Sequence, residues 1–243
     1  MTTPPTDSTT NPATNTTISS TTPIAQILIA TAIALFAMSF TLPTFASRLF
    51  RPFSTRLGIT ADTAGGSAVA VPEGAGKATI AAGCFWGVEH VYRKQFDKKG
   101  LYDARVGYIG GDLNNPSYRA VCGGQTGHAE ALQIHYDPAQ ITYRQIIEFF
   151  YRLHDPTTSN RQGPDVGSQY RSAIYFHDEE QEKIAREVTR QANEQWYKGA
   201  IATEIVPAGR WWDAEDYHQQ YLHHNPSGYE CPTHFIRQFP PLQ

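Results

Sequence analysis

The side chains able to build a core and do chemistry are confined to one end of this chain, and that limits what it can fold into. From Met1 to Val71 the only acidic residues are Asp7 and Asp62, and the only basic ones are Arg48, Arg51 and Arg56. All 13 tyrosines and all three cysteines lie beyond that stretch. A globular domain with reactive side chains can therefore come only from the later part. Residues 1–22 are mostly Thr, Ser, Pro and Asn. With almost nothing to bury, they cannot offset their ordering entropy and are expected to be disordered. Residues 23–46 contain an uncharged run, Ile24 to Leu42, in which 15 of 19 residues are apolar. That is the length of a membrane-spanning helix. Arg48, Arg51 and Arg56 follow it, so an anchor would keep the later part on the cytosolic or matrix side. The same segment, poor in acids and followed by Ser, Thr and Arg, also reads as an organellar targeting sequence. Residues 47–76, with Gly65-Gly66, Gly74 and Gly76, read as a linker. That leaves 77–243 as the folded domain.

Within this domain the hydrophobic period switches repeatedly between strand and helix. Lys77–Ala82, Ala104–Ile109, Ala129–Tyr136, Arg171–Phe176 and Ala202–Ile205 read as strands. Trp86–Lys99 reads as a helix stopped by Gly100. Thr142-x-x-Gln145 is a capping box opening another helix, with Ile146, Ile147, Phe150 and Leu153 as its apolar stripe. Asp178–Lys198, with Ile184, Val188 and Ala192 on one face, is a third, closed by Gly199. The order βαββαβαβ, followed by an irregular aromatic tail, predicts an α/β (α+β) two-layer sandwich. A net charge of −3 removes the basic surplus that nucleic-acid binding needs, so no nucleic-acid partner is expected. Three cysteines are too few for a disulfide scaffold.

The chemistry concentrates in Gly83-Cys84-Phe85-Trp86-Gly87, where a strand ends, glycines bracket a cysteine and a helix begins. Free N–H groups and the helix dipole at such a place lower a thiol's pKa and prepare a nucleophile. Phe85 and Trp86 could wall an apolar pocket. Glu130, in Gly127-His128-Ala129-Glu130, enters a strand that otherwise reads Ala, Leu, Ile. Desolvation would raise its pKa and let it donate a proton. Asp165 and Tyr170, in the stretch 163–171, are polar groups at a strand mouth. Asn115-Pro116-Ser117-Tyr118 offers a further tyrosine on the long loop 110–127. Cys122 on that loop is expected to be a small buried filler.

Gly83–Gly87 resembles the signature of the peptide methionine sulfoxide reductases of the A class, which act on the S epimer. The resemblance continues through Asn115–Arg119, Thr126–Glu130, Gly167–Ser172 and Ala214–Tyr221, and spans roughly residues 77 to 234. It implies a ferredoxin-like core within the sandwich and thiol-dependent reduction of methionine S-sulfoxide, free and protein-bound, as repair of oxidative damage. By that resemblance Cys84 attacks the sulfoxide sulfur. Phe85 and Trp86 hold the substrate methyl group, with Gly83 and His128 alongside. Glu130, Tyr118 and Tyr170 bind and protonate the oxygen, and Asp165 helps order the site. The product on the enzyme is a Cys84 sulfenic acid. Cys231, in a Gly- and Pro-rich tail expected to be flexible, is the implied resolving thiol. Thioredoxin would recycle the Cys84–Cys231 disulfide, and no bound cofactor and no metal are needed. The enzyme is expected to be a monomer. Two other classes stay open at this point. Cys84 with His128 as base would make a cysteine hydrolase. His218, His223, His224, Cys231 and His234 would make a metal-binding module.

Overall fold

The computed structural model describes residues 70–243. The segment expected to be disordered (1–22), the anchor or targeting segment (23–46) and most of the 47–76 linker lie outside the described residues. Among the described residues no helix is long and apolar enough to cross a membrane.

Strand β1 (Gly76–Ala82) runs into helix α1 (Phe85–Phe96), and β2 (Leu101–Ile109) follows. A short helix α2 (Tyr118–Cys122) precedes β3 (Ala129–Tyr136) and α3 (Tyr143–Leu153). A tight hairpin, β4 (Arg161–Gln162) and β5 (Asp165–Val166), and a 3-10 turn at Ser168–Tyr170 lead into β6 (Ser172–Phe176). Then come α4 (Glu179–Gln195), β7 (Glu204–Pro207), β8 (Trp212–Asp213), a second 3-10 turn at Asp216–His218 and α5 (Tyr221–His224). The main sheet has the order β7-β6-β1-β3-β2-β8. Its middle strands β6-β1-β3-β2 all pair antiparallel, the expected ferredoxin-like arrangement. β7 adds parallel to β6, and β8 adds antiparallel to the outer edge of β2.

Alternation along the strands separates two faces. Ile80 of β1, Val106 and Tyr108 of β2, and Leu132 and Ile134 of β3 are buried in one cluster with the helices. The helices contribute Val88 and Tyr92 from α1, Ile146 and Phe150 from α3, and Val188 from α4. The opposite face carries small residues, Ala81, Ala129, Ala131 and Ala173, packed with Trp211. The Trp211 ring lies so close to β2 that a Cβ on Gly107 would stand 2.4 Å from it.

The capping box of α3 forms as expected, with Thr142 and Gln145 each bonding the other's backbone. Asp178 caps α4, accepting from Gln181 N at 2.8 Å. Helix α1 ends at Phe96, not Lys99, because Asp97 leaves helical backbone and Lys98 takes a φ of +58°. This early exit lets β2 begin at Leu101, paired with Tyr136, well before the expected Ala104. The ladder between β1 and β3 stops at Ile80–Leu132, while β1 stays paired with β6 as far as Ala82–Ser172. Two residues beyond Leu132 on the helix-covered face is Glu130, paired across β2 with Tyr108. The β1–β3 ladder thus ends before Glu130, whose side chain is buried against the start of α1.

Candidate active site

Gly83 makes the turn from β1 into α1 with a φ of +90°, a conformation that L side chains rarely adopt. A Cβ there would also stand 2.5 Å from the Gln162 side chain. Cys84 follows as the N-cap of α1 and is only 6% exposed. Burial pushes its thiol well above the ordinary range, and the nearby Glu130 carboxyl adds to the rise. The N–H groups of Trp86 and Gly87 pull the other way but are outweighed. The expectation that the helix N-terminus holds Cys84 as a ready thiolate is corrected. Desolvation of a charged sulfur costs more than two backbone N–H groups return, so the resting group is a neutral thiol.

Glu130 is 1% exposed. Its Oε2 accepts from the backbone N–H of Phe85 at 3.1 Å, which places the carboxyl at the first turn of α1. Burial pushes its pKa from an ordinary 4.5 up to about 8. The Phe85 bond opposes that rise, and the charge of Asp165 supports it. At neutral pH the group is mainly a protonated acid, as the apolar strand around it suggested.

Tyr118 and Tyr170 are both half-buried, and both phenols are raised by burial first and by the proximity of Glu130 among later causes. They are donors throughout the physiological range. Tyr118 is held at the start of α2 by its backbone N–H, which donates to Glu215 Oε1 at 2.9 Å. Asp165, on β5, accepts from the Tyr229 hydroxyl at 2.9 Å. Its charge raises Cys84, Glu130 and Tyr170 alike.

The aromatic wall has more members than the sequence suggested. Phe85 is 1% exposed and packs with Tyr108 and His218, ring centroids 5.9 and 5.1 Å away. Trp86 donates its indole N–H to His218 Nδ1 at 2.9 Å. It also stacks on Tyr221 with centroids 3.8 Å apart. His218 and Tyr221 come from the distant 214–221 stretch. Their contact with Trp86 has no signal in local spacing.

Similarity to known proteins agrees with this geometry. A family model described as peptide methionine sulfoxide reductase matches residues 76–239. The chain belongs to the peptide methionine sulfoxide reductase family. The probable peptide methionine sulfoxide reductase of Schizosaccharomyces pombe is 52% identical over 162 residues, 66% of this chain and 95% of that protein. The Saccharomyces cerevisiae enzyme is 46% identical over 166 residues, 66% of this chain and 89% of its own. Among solved structures, the reduced form of Mxr1 from Saccharomyces cerevisiae superposes with a TM-score of 0.65 at 45% identity. It covers 68% of this chain and 93% of Mxr1. Methionine sulfoxide reductase A of Corynebacterium diphtheriae gives 0.60 at 41% identity, covering 66% of this chain and 79% of that one. The mixed α/β fold is shared, and the chain is an oxidoreductase that reduces methionine sulfoxide.

Against this family frame, several residues stand differently from the expectations. His128 does not face the reductase site with a free nitrogen. Its Nδ1 accepts from Gly111 N at 3.2 Å and its Nε2 bonds the Leu113 carbonyl at 2.8 Å, so it ties the long loop to β3. Both ring nitrogens are thus engaged within the protein, and none is left to serve Cys84 as a hydrolytic base. Cys122 is exposed, not a buried filler, and it lies beside the Tyr118 phenol. Helix α2 is too short to bury both of its faces. The tail histidines do not converge. His218 serves Trp86, and His234 Nε2 bonds the Ala82 carbonyl at 2.7 Å. Among the described residues no group of three His, Cys, Asp or Glu side chains could hold a metal. All three cysteines are free.

Proposed function

We propose that this reductase acts on methionine S-sulfoxide, free and in oxidised proteins, through Cys84 as nucleophile and Glu130 as acid. The observation that carries the reading is a protonated, buried Glu130 at the first turn of the helix that Cys84 caps. A sulfoxide oxygen leaves only after protonation. Glu130 transfers its proton to that oxygen, with the Tyr118 and Tyr170 hydroxyls donating hydrogen bonds to it. The positive charge placed on the substrate sulfur draws the Cys84 sulfur in, and the thiol proton returns to Glu130. The oxygen passes from the substrate sulfur, which gains two electrons, to the Cys84 sulfur, which loses two. The products are methionine and a Cys84 sulfenic acid. Phe85 and Trp86 hold the substrate methyl group, and Asp165 orders the site.

Cys231 then attacks the sulfenic sulfur, water leaves, and a Cys84–Cys231 disulfide forms. Thioredoxin reduces that disulfide. The segment 23–46 directs or tethers the enzyme to a membrane or organelle, a reading that rests on its uncharged run and on Arg48, Arg51 and Arg56. A C-terminal fluorescent fusion made with and without residues 1–60 tests that part, and identical distribution of the two would refute it. For the chemistry, Glu130→Gln should slow the single-turnover release of methionine by about a hundredfold or more, the scale of general-acid catalysis. An unchanged rate at neutral pH would remove Glu130 from the mechanism.

A further inference from the structure

The tail that carries Cys231 was expected to be flexible, yet it is seated in notches left by glycines. Cys231 is 1% exposed and His234 is 6% exposed. A Cβ on Gly163 would stand 2.7 Å from Thr233 Cγ2 and 3.5 Å from Cys231 Sγ. A Cβ on Gly87 would stand 2.4 Å from His234 Nδ1, and one on Gly83 would strike Gln162. The missing side chains of three glycines, two of them flanking Cys84, thus make room for Gln162, Thr233 and His234.

Gln162 lies at the centre of this seat and is 1% exposed. Its Nε2 donates to the Asp155 carbonyl at 2.9 Å, which fixes the orientation of the amide. Its Oε1 accepts from Asp155 N at 3.0 Å and from the Thr233 hydroxyl at 2.6 Å. Thr233 has a single hydroxyl proton, and a carbonyl oxygen can only accept, so that proton is committed to Gln162. Toward Cys231, 3.2 Å away, Thr233 can therefore only accept. The thiol is the only donor left for that pair, and its single proton is shared between the Thr233 oxygen and the Gln162 backbone carbonyl, to which it donates at 3.5 Å. The Cys231 S–H is thus held between the Thr233 oxygen, whose own proton goes to the Gln162 side chain, and the Gln162 backbone carbonyl. The stem of that side chain packs on Gly83, next to Cys84.

We propose that Gln162 and Thr233 are positioning residues that hold Cys231 docked on the nucleophile loop before substrate arrives, so that disulfide closure needs no search by a free tail. The proposal rests on the reading of Cys231 as the resolving thiol. In the step it accelerates, a bond forms between the Cys231 and Cys84 sulfurs. The bond from the Cys84 sulfur to its hydroxyl breaks, and the hydroxyl leaves with the Cys231 thiol proton as water. The sulfenic sulfur is reduced, the Cys231 sulfur is oxidised, and no outside reductant enters.

The test separates the two half-steps in the full-length enzyme mixed with excess methyl sulfoxide substrate and no reductant. Methionine release reports attack by Cys84, and dimedone trapping over time reports how long the sulfenic acid survives. Thr233→Val keeps the side chain's shape and removes its hydroxyl. Its methionine burst should match wild type within twofold, and its sulfenic acid should persist about 3- to 10-fold longer, the range given by a lost buried hydrogen bond. Thr233→Ser should restore wild-type closure within twofold. Gln162→Met, which removes the acceptor from the other side, should also prolong the sulfenic acid. Normal closure in either Thr233→Val or Gln162→Met, or an equal slowing of burst and closure in Thr233→Val, overturns the proposal. The parent reading fails by a different result, namely wild-type closure in Cys231→Ser.

Discussion

Replacing Glu130 by Gln should change the pH dependence of folding in a way that follows directly from the buried carboxyl. The folded protein holds the Glu130 proton up to about pH 8, whereas the unfolded chain releases it near 4.5. Between those values the folded state binds the extra proton, so stability falls as pH rises. The loss begins near pH 4.5 and is complete above about pH 8. At about 1.4 kcal/mol per pH unit it reaches roughly 3–4 kcal/mol at pH 7 and about 5 kcal/mol at pH 9. Gln has nearly the same shape and does not ionise. Its amide brings a packing offset of its own, but one that does not vary with pH. Urea unfolding of both proteins at pH 5, 7 and 9 isolates the ionisation. The stability of Glu130→Gln relative to wild type should grow by several kcal/mol from pH 5 to pH 9. A difference that stays constant across that range would refute the assignment of a proton to this carboxyl in the native state.

Cys231→Ser should release about one equivalent of methionine per enzyme and then stall with thioredoxin as the only reductant, while dithiothreitol restores much of the turnover. Sustained cycling of this variant with thioredoxin would show that another thiol resolves the sulfenic acid. Trp86→Phe loses the indole bond to His218 and weakens the stack on Tyr221. Steady-state kinetics should show KM raised about 5- to 10-fold with a smaller change in kcat, and an unchanged KM would exclude Trp86 from substrate binding.

Residues whose role is local were legible in the sequence. Ala129–Tyr136 is a strand at the expected limits, because its apolar run is uninterrupted. The Thr142–Gln145 box closes because both partners lie within one helical turn. Gly83 and Cys84 sit at a strand-to-helix junction, as their spacing indicated, and the apolar neighbours of Glu130 foretold its burial. What was hidden depends on contacts far along the chain. His218 and Tyr221 meet Trp86 across more than 130 residues. Strands β4, β5 and β8 have two residues each, too few to show a period. His128 stands just before β3, and the bonds that hold its ring come from Gly111 and Leu113 of the long loop, a tertiary contact that its place beside Ala129 does not announce. The state of the Cys84 thiol followed burial, which a dipole argument from the helix terminus does not include.

In the proposed mechanism a protonated carboxyl, and not a preformed thiolate, makes this site competent. The most direct measurement is the single-turnover rate of methionine release from pH 6 to 10 for the wild-type enzyme and for Glu130→Gln. The wild-type rate should be flat at low pH and fall about tenfold per unit as pH rises past about 8, where Glu130 loses its proton. The Glu130→Gln rate should be about a hundredfold lower at neutral pH and should show no break near pH 8. A wild-type rate that instead climbs with pH through 8 and 9, as deprotonation of a nucleophilic thiol would produce, would contradict the account.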